Sequence, residues 1–138
     1  MKVTFMDEKQ KAIARQCLDG AYANTMSFPE SVRLLSEAGF EGYAVDYRLN
    51  TRTHYLADGE TLVLTNPHRP GAVSSAFNQP EIAAAIKWAQ AKSPDYTYAD
   101  FNRKVVASGC AGYIVSFLGR RVLYFGRTAE MHIEHFPK

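Results

Sequence analysis

A chain of 138 residues, 46% hydrophobic and 22% charged, has the length of one domain and the composition of a globular one. Its net charge is only +2, its basic residues are scattered, and Arg120-Arg121 is its sole adjacent arginine pair. That argues against a nucleic-acid binder, which concentrates basic side chains on one face. Two cysteines, Cys17 and Cys110, are too few and too distant for a disulfide framework and read as reduced, buried thiols.

Met1 to Gln10 mixes charges early and has no apolar run, so no secretory signal is expected there. Val105 to Gly119 is the longest strongly apolar uncharged stretch. It is interrupted by Ser108, Gly109, Gly112 and Ser116 and is shorter than the ~20 residues of a spanning helix. The expectation is a cytoplasmic protein with no membrane partner.

Ile13, Ala14, Cys17, Leu18 and Ala21 recur at helical spacing and predict a first helix over about 6–22. Ser27 with Glu30 forms a capping box for a second helix, carried by Val32, Leu35 and Ala38 and ended by Gly39. After Gly42 the period becomes two: Tyr43, Val45 and Tyr47 alternate with Ala44, Asp46 and Arg48, a strand with one buried face. A turn at 49–51, a strand over 53–57, the hairpin signal Asp58-Gly59 and a third strand over 61–65 follow. A connector over 66–77 contains Pro67, Pro70 and Gly71 and shows no periodicity. Asn78 with Glu81 starts a third helix that stops near Ser93-Pro94, and Thr97 with Asp100 caps a fourth that ends at Gly109. Tyr113, Val115 and Phe117 make a strand, Gly119-Arg120 a turn, and 122–125 and 129–136 two more strands.

Laid on itself with an offset of 70, the chain aligns Ser27 with Thr97, Glu30 with Asp100, Gly39 with Gly109, Gly42 with Gly112 and Tyr43 with Tyr113. After the first turn an offset of 69 is expected, placing Tyr55 on Tyr124 and Leu62 on Met131. The predicted fold is therefore α+β: an internally duplicated helix-helix-strand-strand-strand unit, with antiparallel sheet packed against four helices. It forms a single domain over 1–138, with pseudo-repeats over about 6–65 and 78–136 joined by the connector 66–77. Gly-x-x-Gly-Tyr runs from helix to strand, so it is a helix cap. A phosphate loop runs the other way, from strand to helix N-terminus.

The copies differ on one strand face. The second carries Ile114, Leu118, Leu123 and Phe125, so its hairpin is apolar on both sides and predicts either central strands or a face closed by a second subunit. The first carries Asp46, Arg48 and His54, with Asp58 just beyond. A three-residue turn sets Asp46 opposite His54, the orienter and base of a nucleophilic triad, but no nucleophile motif accompanies them. Tyr47 and Tyr55 are the hydroxyl donors nearest in sequence. Arg48, Asp58, His68 and Arg69 are candidate ligand-binding residues, the last two because they sit in a proline-bounded loop. His132 and His135 are weak metal candidates, since on a strand they face opposite ways.

The run Gly39-Phe40-Glu41-Gly42-Tyr43-Ala44-Val45-Asp46-Tyr47, then His54-Tyr55 and Asp58-Gly59-Glu60, resembles the bacterial domain-of-unknown-function family 1398. Members of that family are often labelled "phage envelope protein" and occur in prophage regions. The resemblance spans nearly the whole chain and implies a small, prophage-derived bacterial protein. It carries over no catalytic residues. The functional expectation is a non-enzymatic binding or protein-interaction module, a homodimer or the partner of another protein, with no cofactor. The alternative is a small-molecule enzyme using His54, Asp46 and a tyrosine.

Overall fold

A computed structural model describes residues 6–137. It is α+β, with ten elements in the order α1 (Glu8–Ala23), α2 (Phe28–Glu37), β1 (Phe40–Asp46), β2 (Thr51–Leu56), β3 (Thr61–Thr65), α3 (Gln79–Gln90), α4 (Tyr98–Ala107), β4 (Cys110–Ser116), β5 (Arg121–Gly126) and β6 (Met131–His135). The strands form one antiparallel sheet in the order β3-β2-β1-β4-β5-β6. None of the described helices is long and apolar enough to cross a membrane.

Local chemistry sets the helix boundaries. Asp7 and Gln10 form a capping box on α1, as Ser27 and Glu30 do on α2. The Asn78 and Thr97 side chains accept from the main-chain N–H of Glu81 and Asp100. Gly39 and Gly109 then turn the chain out of α2 and α4 at φ of 102° and 95°, a region that excludes most side chains. The next glycine acts differently: a Cβ on Gly42 would land on the carbonyl oxygen of Val115, and one on Gly112 on that of Val45. These two glycines let the central strands β1 and β4 approach each other closely.

α2 packs on β1, α4 on β4 and α3 on β6. Tyr43, Val45, Tyr113, Val115, Val122 and Tyr124 are buried beneath the helices with Leu18, Leu35, Ile82, Phe101 and Val105. None of the described helices lies on the opposite sheet face.

The expected change of offset does not occur. β2 and β5, like β3 and β6, lie 70 residues apart throughout. The first turn is no longer than the second: Asp46 pairs with Thr51 and Ser116 with Arg121. Both turns close on a left-handed residue, Asn50 (φ 61°) and Arg120 (φ 51°). The counterpart of Tyr124 is thus His54, and that of Met131 is Thr61. A slip of one residue along a strand exchanges its faces, and that reassigns every side chain of β2.

Candidate functional site: a buried cation and an open sheet face

β2 alternates Thr51, Thr53 and Tyr55 on the open face with Arg52, His54 and Leu56 beneath the helices. At the positions where β5 has Val122 and Tyr124, β2 therefore buries a guanidinium and an imidazole. Arg52 is 2% exposed and His54 is fully enclosed. Arg52 Nη2 donates to Tyr98 Oη at 2.8 Å, and that hydroxyl is 2.5 Å from Tyr113 Oη. The guanidinium carbon also lies over two rings, 4.7 Å from the centroid of Tyr43 and 5.5 Å from that of Tyr98.

Among the described residues no carboxylate pairs with Arg52. Its Nε finds no hydrogen-bond partner there either. Burial opposes the guanidinium charge, but arginine is basic enough to keep its proton, and the Tyr98 hydroxyl accepts from it, so Arg52 remains charged. An unpaired charge in a core costs several kcal/mol. Burial, and after it the Arg52 charge, push the neighbouring His54 down to about 3, so its imidazole is neutral near pH 7.

A second hydrogen-bond chain runs alongside. Tyr47 Oη donates to Asn102 Oδ1 at 2.7 Å, and Asn102 Nδ2 donates to Tyr22 Oη at 3.2 Å. Tyr22 is half-buried and meets Tyr98 edge-on at 4.9 Å. Exposed His68, from the connector, meets Tyr22 edge-on at 5.7 Å. The series Arg52, Tyr98, Tyr22, His68 thus leads from the core to solvent.

The Asp46–His54 pair expected from sequence is not formed. Tyr43 stands across from His54, and Asp46 lies on the other face, its carboxylate accepting the N–H groups of Arg48 (2.9 Å) and Leu49 (3.0 Å). Asp46 shapes the turn and cannot orient the imidazole. Tyr47 shares the helix-covered side with His54, whereas Tyr55 is 38% exposed on the open face. Asp58 accepts from Glu60 N at the far end of β2, away from the other ligand candidates. Arg69 reaches Arg48, donating to its carbonyl at 3.4 Å, so Arg48, His68 and Arg69 gather along the connector.

On β6, His132 faces α3 and His135 faces away. Gln79 donates to His132 Nδ1 at 2.8 Å, which leaves Nε2 to donate to Glu134 at 2.7 Å. Among the described residues no three His, Cys, Asp or Glu side chains gather around one point. Cys17 and Cys110 are buried and unbridged, and burial pushes the Cys110 thiol up to about 12.

The open face is the second feature. It exposes Tyr55, Val63, Ile114, Met131 and Ile133, with Leu123 and Phe125 half-buried among them. Asp46 of the central strand β1 and Arg121 of β5 stand on the same face, in the rows on either side of Ile114. Ile114 lies on the central strand β4, cross-strand from Ala44 and Leu123.

Sequence reasoning overlooked Arg52 and its tyrosine partners. One signal could have found them: with the offset held at 70, Arg52 falls on Val122, setting a charge at an apolar core position. Comparison of the chain with protein-family models finds no match, and comparison with curated proteins finds none.

Proposed function

We propose that this protein is a non-enzymatic interaction module that forms a homodimer by packing the open sheet faces of two copies together. The uncovered apolar face, centred on Ile114, is the observation that carries this reading. Six strands about 4.8 Å apart, each five to seven residues of ~3.3 Å, present a face of roughly 24 by 20 Å. That is about 480 Å² per copy, at the small end of protein interfaces, whose standard size takes ~800 Å² from each partner. Two identical twisted sheets can stack face to face. The resemblance to family 1398 supports a bacterial, prophage-derived origin.

The test is oligomeric state. Light scattering coupled to size exclusion should give a dimer for the natural chain and a monomer for Ile114→Glu, a substitution at an exposed site that leaves the core intact. A monomeric natural chain at high micromolar concentration, or a dimeric Ile114→Glu variant, would refute the reading.

A further inference from the structure

We infer that Arg52, with the hydroxyls of Tyr98 and Tyr113, forms a binding site for the carboxylate of a small organic monoanion that enters beneath the connector 66–73. This site is separate from the open sheet face and does not depend on dimerisation.

The starting point is the unpaired charge. A guanidinium 2% exposed, without a carboxylate partner among the described residues, occupies a position where the other half of the sheet places Val122. Valine at the equivalent position shows that the fold does not require a cation there. An apolar residue would avoid the desolvation cost, so the charge is better explained by something it binds.

The surroundings select the ligand class. Nε has no partner and Nη2 is held only by a phenol, so the planar fork can turn to a carboxylate, which it matches in a bidentate manner. The Tyr98 and Tyr113 hydroxyls, 2.5 Å apart, bond to each other, and each can turn its proton to a carboxylate instead. One buried positive charge is neutralised by one negative charge. A phosphate dianion would leave an excess buried charge, and the aromatic walls of Tyr43, Tyr98 and Tyr22 favour an organic body on the carboxylate.

The route follows from the connector. Its main chain is anchored by Asn66 N to Asn50 O and by Ser74 N to Val106 O, and among the described residues the main chain between them is held only by Arg127 Nη1 donating to Val73 O at 3.3 Å. Local opening there is inexpensive compared with opening a strand. Lifting it removes His68 from Tyr22, the half-buried ring over Tyr98, and leaves Arg48 and Arg69 at the mouth to attract an anion.

Thermal unfolding of the full chain with benzoate, acetate or inorganic phosphate tests the site, at matched ionic strength. A carboxylate at a hundredfold excess over its Kd should raise Tm by roughly 8 °C. Phosphate at pH ~8, where it is mostly the dianion, should have little effect. Arg52→Met should fold, with a Tm at or above that of the natural chain in the absence of anion, and should lose the benzoate response. Arg52→Lys should weaken that response, because an ammonium lacks the fork. In the natural protein, the Arg52 Nε–H resonance should shift saturably during benzoate titration, a readout independent of any variant. No response to either carboxylate, an unmoved Arg52 resonance, an equal response to phosphate, or an Arg52→Met chain that cannot fold would each overturn the proposal.

Discussion

Tyr43 and His54 are cross-strand partners, their rings 5.7 Å apart on the face that the helices seal. Arg52, two residues before His54 on the same face, lies over the ring of that same tyrosine. A neutral imidazole and a permanent cation thus share one enclosed compartment, with Phe40 at 5.6 Å closing the other side of His54. The compartment behaves as an electrostatic unit, and several measurable consequences follow from its arrangement.

Acid should destabilise the protein through His54. Its folded pKa of about 3 lies below the ordinary value of 6.5, so the unfolded chain takes up a proton that the folded chain refuses. This stability is fully present above pH 6.5 and is lost as pH falls toward 3. The expected loss from His54 alone is about 2 kcal/mol between pH ~7.5 and ~5. Denaturant melts at the two pH values should show it, and His54→Leu should flatten the difference. An unchanged slope in that variant would show that other groups carry the acid sensitivity.

Removing the Tyr98 hydroxyl should cost more than removing the Tyr113 hydroxyl. Tyr98→Phe deprives Arg52 Nη2 of its acceptor and leaves a buried charged donor unsatisfied, for about 2–3 kcal/mol. Tyr113→Phe removes one partner of a neutral pair while Tyr98 still accepts from Arg52, for about 1 kcal/mol. Urea unfolding of the two single variants would show the order, and equal losses would contradict it.

Asp46 should prove to be a turn residue. Asp46→Ala removes the acceptor for two main-chain N–H groups and should destabilise by about 1 kcal/mol. Asp46→Asn, which keeps a side-chain oxygen, should recover most of that. Neither should alter the titration of the His54 ring followed by NMR, whereas an Asp46–His54 pair would make both variants shift it.

The glycines should separate into two classes. Gly42→Ala places a Cβ on the Val115 carbonyl across the centre of the sheet and should cost more than about 2 kcal/mol. Gly59→Ala meets no atom within 4 Å but retains φ of 93°, so only the backbone penalty of about 1 kcal/mol applies. Ala129, the counterpart of Gly59, already sits at φ 66°, and Ala129→Gly should raise Tm slightly. Thermal melts of the three variants would test this order.

Much of the architecture was legible in the chain because it rests on short-range chemistry. The Ser27–Glu30 box, the Asn78 and Thr97 caps, the Gly39 and Gly109 helix ends and the alternation from Tyr43 to Tyr47 are all decided within a few residues. β2 was different. Its two faces, Thr51-Thr53-Tyr55 and Arg52-His54-Leu56, give no clear hydrophobic contrast, and an expected aromatic match of Tyr55 with Tyr124 favoured the wrong one. Arg52 and His54 read as surface residues by polarity.

Local order was thus determined by the sequence itself: where helices begin and stop, where the period changes from helix to strand, and where glycine must stand. Only the tertiary structure decided which face of β2 is buried, because that depends on a turn of unchanged length and on ladder pairing with β1 and β3. The same pairing carried Arg52 under the helices, while none of the described helices covers Ile114 on the other face. Strand alternation is local, but the choice between its two faces belongs to the whole sheet.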